Sequence, residues 1–185
     1  MNTPNEHMKI QDAIFSAVAE KHSHNFEKSV TMFAAGDRET DDILALVDKK
    51  LLKWQFNLKA NAATTAASNP EHMINSVVYY GEPVNGFACM GYAIGCVSKD
   101  GTAIEINFME KRVDSGTEWC QQFLPLIVDA YAAYALYLNT IGSTNIDKLV
   151  FVGPVEGAKH YYTNKGLVYV PDYNHSEAMI AHLDK

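Results

Sequence analysis

Lys148-Leu-Val-Phe-Val-Gly-Pro-Val-Glu-Gly-Ala158-Lys-His-Tyr-Tyr162-Thr-Asn-Lys-Gly166-Leu-Val-Tyr-Val170 is the stretch from which the architecture is read. Leu149 to Val152 is β-branched and aromatic and is bounded by Gly153-Pro154, the pattern of a short buried strand. Ala158, Tyr161 and Tyr162 then recur at helical spacing, and Gly166 stands where a helix ends in the left-handed conformation. A second apolar strand follows around Val168. Two strands joined by a one-to-two-turn helix require a sheet to lie in, which places the chain among α/β folds.

The 185 residues suffice for one domain that buries roughly 70% of the surface its unfolded chain exposes. No linker or internal repeat divides residues 1–185. A hydrophobic fraction of 48% with 20% charged residues is the composition of a globular protein, not of a disordered or membrane one. The formal charge of −7 argues against nucleic acid as a partner, since a phosphate backbone calls for a basic face. No apolar run reaches the roughly 20 residues that span a bilayer, so no membrane partner is expected. The N-terminus is polar and contains an acid, unlike a secretory leader. Cys89, Cys96 and Cys120 fit no metal spacing and are expected to be reduced thiols of a cytoplasmic protein. Cys89 and Cys96 would face opposite sides of one continuous strand.

Ile10, Ala13, Ile14, Ala17 and Val18 predict an amphipathic helix over about Ile10–Lys21. Val30–Ala34 reads as a strand ended by Gly36. Asp37 or Thr40 can cap a second helix with Ile43, Val47, Leu51, Trp54 and Leu58 on one stripe. Ala60–Asn69 is small and polar, a helix tail or a loop. Strands are expected at Ile74–Tyr80 and Gly86–Ser98, the latter bent at Gly91 and Gly95. A tight turn at Lys99-Asp100-Gly101 leads to Thr102–Met109, where alternation puts Ile104, Ile106 and Phe108 on one face and Glu105, Asn107 and Met109 on the other. A long helix runs from near Thr117 to Asn139, with Pro125 near its first turns or kinking it. Ala178–Leu183 is a last strand or a short helix capped by Ser176.

The closing stretch resembles that of the GNAT N-acyltransferase superfamily, in which an Ala is followed by an aromatic-Tyr pair and then Gly-Phe. Ala158, Tyr161, Tyr162, Gly166 and Leu167 occupy those places. The resemblance implies a mixed, largely antiparallel central sheet with helices on both faces. It also implies acyl transfer from acetyl-CoA or another acyl-CoA to a small-molecule or protein amine, with Tyr162 protonating the departing thiolate. The acyl carbonyl would be held by the backbone of Phe108–Met109. The pyrophosphate would sit at the start of the long helix, on Ser115, Gly116 and Thr117, with Lys111 and Arg112 upstream, and Ala158 would contact the cofactor. A helix N-terminus offers unpaired donors and about half a positive charge for such a group. The chain departs from the family pattern here. Val113 stands at a Gln/Arg place, Glu118 at a small place and Val155 at an Asn place. Ser115 and Glu118 also read as a capping box that would consume the same donors.

Transfer to an amine needs a base, a donor for the carbonyl oxygen and an acid for the thiolate. Tyr162 is the acid candidate, against the alternative that both tyrosines only pack the short helix. Glu105 is the base candidate, expected to point toward a central cleft, with Glu110 as a weaker substitute. His160 should face away from the tyrosines, into solvent. His22 and His24 lack companions for a zinc site. Tyr131, Tyr134 and Tyr137 form a stripe read as core or homodimer packing, with a ligand box as the alternative. Two readings stay open: an acyl-CoA N-acyltransferase, and a non-catalytic module of the same fold that has lost cofactor binding.

Overall fold

The structure, a computed structural model, describes residues 4–62, 68–82, 84 and 86–183. Helix α1 (Pro4–His22) starts several residues before the expected Ile10 and buries Phe15 and Ala19 completely. After a 3₁₀ turn at Ser23–Asn25, strand β1 covers Val30–Ala34. The expected second helix is instead two, α2 (Asp37–Asp48) and α3 (Phe56–Ala62). Lys50 adopts φ +59°, and the N–H groups of Leu51 and Leu52 both return to the Leu46 carbonyl at 2.9 and 3.3 Å. That left-handed stop reverses the chain, so Leu52 and Phe56 become core while Leu58 is left 67% exposed. Neither Asp37 nor Thr40 is the cap: Gly36 holds that place, donating its N–H to the Glu39 carboxylate at 3.1 Å.

Of the small, polar stretch, Ala60–Ala62 ends α3, residues 63–67 lie outside the described ones, and Ser68 and Asn69 already belong to β2 (Ser68–Tyr80). Strands β3 (Ala88–Ser98) and β4 (Ala103–Lys111) follow, then helix α4 (Gly116–Thr140), strand β5 (Lys148–Val152) and helix α5 (Glu156–Asn164). Strands β6 (Val168–Tyr173) and β7 (Ser176–His182) close the chain, so its tail is a strand and not a helix. Pro125 sits well inside α4, beyond the first turns. The sheet order is β1-β2-β3-β4-β5-β7-β6, antiparallel throughout except for the β4–β5 pair. Among the described residues no helix is long and apolar enough to cross a membrane.

Helices cover both faces. Phe15 of α1 and Leu126, Tyr131 and Tyr134 of α4 pack with Ile74, Ala93, Ile104, Ile106, Leu149 and Phe151. Tyr131 and Tyr134 of the α4 stripe are therefore core, and Tyr137 packs half-buried at its edge. On the opposite face α2 and Phe56 pack with Val77, Tyr79, Tyr92 and Ile94. Two of the sheet's register shifts, in β3 and β4, change which face their side chains take. The shift between Val78 and Tyr79 brings Cys89 to the α2/α3 face, opposite Tyr79. Cys96, beside Met73 on that face, thus shares it. In β4, Ile94 pairs with Phe108 but Gly95 with Ile106, leaving Asn107 as the extra residue. Phe108 consequently packs on the α2/α3 face while Ile104 and Ile106 remain on the other, and Met109 takes the α1/α4 face. Gly95 is needed here, because a Cβ would overlap the Glu105 carbonyl and lie 2.8 Å from the Tyr131 ring.

Candidate functional site

The parallel ladder of β4 and β5 runs from Ala103 beside Lys148 to Ile106 beside Phe151 and stops there. β4 continues to Lys111 along β3, while β5 ends at Val152 and turns away at Gly153, φ +60°. The strands part at the bulge, between Ile106 and Asn107, and open a narrow cleft of about 60 Å³. One wall is Ile106–Met109, the other Phe151–Val155; Tyr162 of α5 and Trp54, from the segment joining α2 to α3, complete it. Crevices beyond the C-terminal ends of diverging strands are where open α/β sheets hold ligands.

Tyr162 stacks on Phe151, ring centroids 4.7 Å apart and 20° from parallel. Burial, and secondarily Tyr161, pushes its phenol above the ordinary value, so the proton is held at neutral pH. Among the described residues Tyr162 is the one ordinarily titratable side chain that lines the cleft. Tyr161 does not line it; its hydroxyl is buried without a partner among the described residues. His160 is exposed and pairs with Asn164 at 3.1 Å.

Glu105 does not point into the cleft. It is 1% exposed and pairs with Val150, inside the closed part of the ladder. Its carboxylate accepts from the Tyr173 hydroxyl at 2.7 Å, the Cys96 thiol at 3.2 Å and the Ser68 hydroxyl at 3.3 Å. Burial first, then this carboxylate, raises the Tyr173 phenol; burial pushes the Cys96 thiol up to about 12. Glu110 is also engaged, receiving the N–H groups of Lys53 and Trp54 at 2.7 and 3.1 Å. It fixes the segment that carries Trp54 over the cleft. Neither Trp54 nor Tyr173 was legible as a site neighbour: Trp54 continued a helical stripe, and Tyr173 is 68 residues from Glu105.

The segment entering α4 follows the end of β4 directly. The expected capping box is absent. Ser115 has helical backbone angles and caps nothing, and the Glu118 carboxylate reaches across to the Tyr80 hydroxyl at 3.1 Å and the Glu27 N–H at 3.0 Å. Neither side chain therefore occupies the N–H donors that a helix leaves in its first turn. Gly116 adopts φ +82° with open space where a Cβ would stand, and Thr117 is exposed. Lys111 donates to Ser115 at 3.0 Å. Arg112 is not a free phosphate partner: it grips Asp114 at 2.6 and 2.9 Å and the Cys89 carbonyl at 3.2 Å. Val113 and Val155 are 61% and 58% exposed, and Ala158 is half-buried on α5.

No family model matches this sequence, and no curated protein matches it. Solved structures do. Ard1 from Thermoplasma volcanium is 11% identical, with a TM-score of 0.51 over 84% of this chain and 99% of that one. An acetyltransferase from Thermus thermophilus is 10% identical, TM-score 0.50, over 83% and 97%. A mutant AtaT toxin, bound to the C-terminus of the antitoxin AtaR and acetyl-CoA, is 11% identical, TM-score 0.50, over 83% and 92%. At such identities the likeness is one of fold: this chain has the GNAT fold.

Proposed function

We propose that this protein is an N-acyltransferase that moves an acetyl or other acyl group from acyl-CoA to an amine. One observation carries the reading: β4 and β5 part at a bulge, and Tyr162 lines the opening where a thiolate would leave. The backbone of Phe108–Met109 borders the gap and would hold the thioester oxygen. As the amine attacks the carbonyl carbon and the C–S bond breaks, the Tyr162 phenol gives its proton to the sulfur and regains one from solvent. The donors at Gly116 and Thr117 suit a pyrophosphate, and the carboxylate of Glu118 is engaged elsewhere.

No carboxylate or imidazole among the described residues lines the cleft. The acceptor therefore sheds its ammonium proton to water, and the rate should track the free-base fraction of the amine. That same absence favours a second reading, a binding module of this fold without turnover. Thermal shift with acetyl-CoA and desulfo-CoA, paired with a thiol-release assay over a panel of amines, separates them. A ligand at 100 times its Kd adds about 2.7 kcal/mol of stability. Stabilisation with thiol release supports the enzyme; stabilisation without release keeps cofactor binding and overturns turnover; neither effect supports the module that has lost cofactor binding.

A further inference from the structure

The α2/α3 side of the cleft holds a cation between two aromatic faces. The Lys59 ammonium lies 5.0 Å from the centroid of Trp54 and 4.6 Å from that of Phe108. The two rings meet edge to face at 6.0 Å, and both line the cleft. Among the described residues no carboxylate is ion-paired with Lys59. Its charge is met by the ring faces, whose quadrupoles attract cations within about 6 Å of the centroid. The box is built, not incidental. The Asn107 bulge turns Phe108 to this face. Glu110 pins the Lys53 and Trp54 backbone.

We propose that Trp54 and Phe108 form the subsite for the alkylammonium end of the acceptor, and that Lys59 occupies it as a tethered stand-in. This rests on the acyltransferase reading of the cleft. The class of acceptor is a primary alkylamine that is charged at neutral pH, such as a lysine side chain or an alkyl diamine, and not an aryl amine or an anion. Tyr162 packs toward the α1/α4 core and Phe108 toward the α2/α3 core, so amine and thiol meet the carbonyl from opposite faces of the sheet. Drawn into the apolar gap, the ammonium is desolvated and loses its proton to water more readily. The free amine then forms the C–N bond as the C–S bond breaks, sulfur takes the Tyr162 proton, and the proton left over on the acylated nitrogen passes to water, from which the phenolate regains its own.

The test titrates n-butylammonium and its neutral analogue n-butanol into wild type, Lys59→Ala and Lys59→Ala/Trp54→Leu, followed by heteronuclear NMR at the indole and backbone N–H groups. Lys59 is half-exposed on a short helix, so its removal leaves the core intact. Lys59→Ala is expected to bind butylammonium about three- to thirty-fold more tightly than wild type, and more tightly than it binds butanol. The added Trp54→Leu change should erase that preference. Equal affinity for butylammonium and butanol, or no gain on removing Lys59, overturns the subsite. Thiol release with acetyl-CoA is measured in parallel. Ammonium binding without release keeps the subsite and overturns the acyltransferase reading. Release with unchanged ammonium affinity overturns the subsite alone.

Discussion

Replacing Glu105 by Gln keeps the length of the side chain but removes its charge and turns one acceptor oxygen into a donor. In the folded protein that carboxylate receives three donors, from Tyr173 at 2.7 Å, Cys96 at 3.2 Å and Ser68 at 3.3 Å, and is 1% exposed. The amide oxygen is expected to keep the short Tyr173 bond, which swings the NH₂ toward Cys96 and Ser68. The Ser68 hydroxyl can rotate to accept; the thiol is a poor acceptor. Hydrogen bonds to a charged group contribute about 1.5–3 kcal/mol against about 1 for neutral pairs, so the change should cost about 2 kcal/mol. For a chain of this length that is about 4–8 °C in Tm. Circular dichroism gives the Tm, and thiol release measured well below both midpoints gives the kinetics. With Glu105 outside the cleft, kcat/KM should stay within about twofold. An unchanged Tm together with a kcat loss of about 10²-fold or more would show that Glu105 serves the reaction, and the assignment to the core would fail.

Tyr162→Phe should lower kcat by about 10²–10⁴-fold with little change in KM, and a loss of tenfold or less would mean that the ring only packs on Phe151. Tyr161→Phe is the control: it deletes a buried hydroxyl with no partner among the described residues, so kinetics should hold and stability should stay level or rise by about 1 kcal/mol. Gly116→Glu places a carboxylate at the start of α4 and should weaken CoA binding about tenfold or more in calorimetry, while Gly116→Ala, which carries the same left-handed backbone strain without the charge, should weaken it less. Equal effects of the two changes would refute the pyrophosphate placement. Burial raises the phenols of Tyr79, Tyr92, Tyr131 and Tyr173 in the folded state. The unfolded chain ionises them near pH 10, so their contribution is complete below that pH and is lost as pH rises above it toward the folded values. Tyrosinate absorbance and far-UV circular dichroism should therefore change together in one alkaline transition; smooth titration of all 10 tyrosines near pH 10 in a folded protein would contradict this.

Local features carried the outline of the protein. β1 begins at Val30 and ends at Ala34 as its apolar run does, α4 follows its Ala- and Tyr-rich stretch, and the Leu149–Val170 segment folds as strand, helix and strand. These follow from periodicity, β-branching and turn residues, which act over a few neighbours and so are written in the order of side chains. The composition of the site was decided elsewhere. One inserted residue, Asn107, reverses the faces of Phe108 and Met109, a shift that no alternating pattern announces because it depends on how β4 registers with β3. Glu105 became core because Tyr173 reaches it from 68 positions away, and Glu118 left the cap because Tyr80 and the Glu27 N–H offered it donors across the fold. Trp54 left its helical stripe for the cleft when Glu110, 56 positions on, took its backbone N–H. Buried polar groups take whatever partners the packed chain brings within reach, and those partners exist only once the sheet has closed.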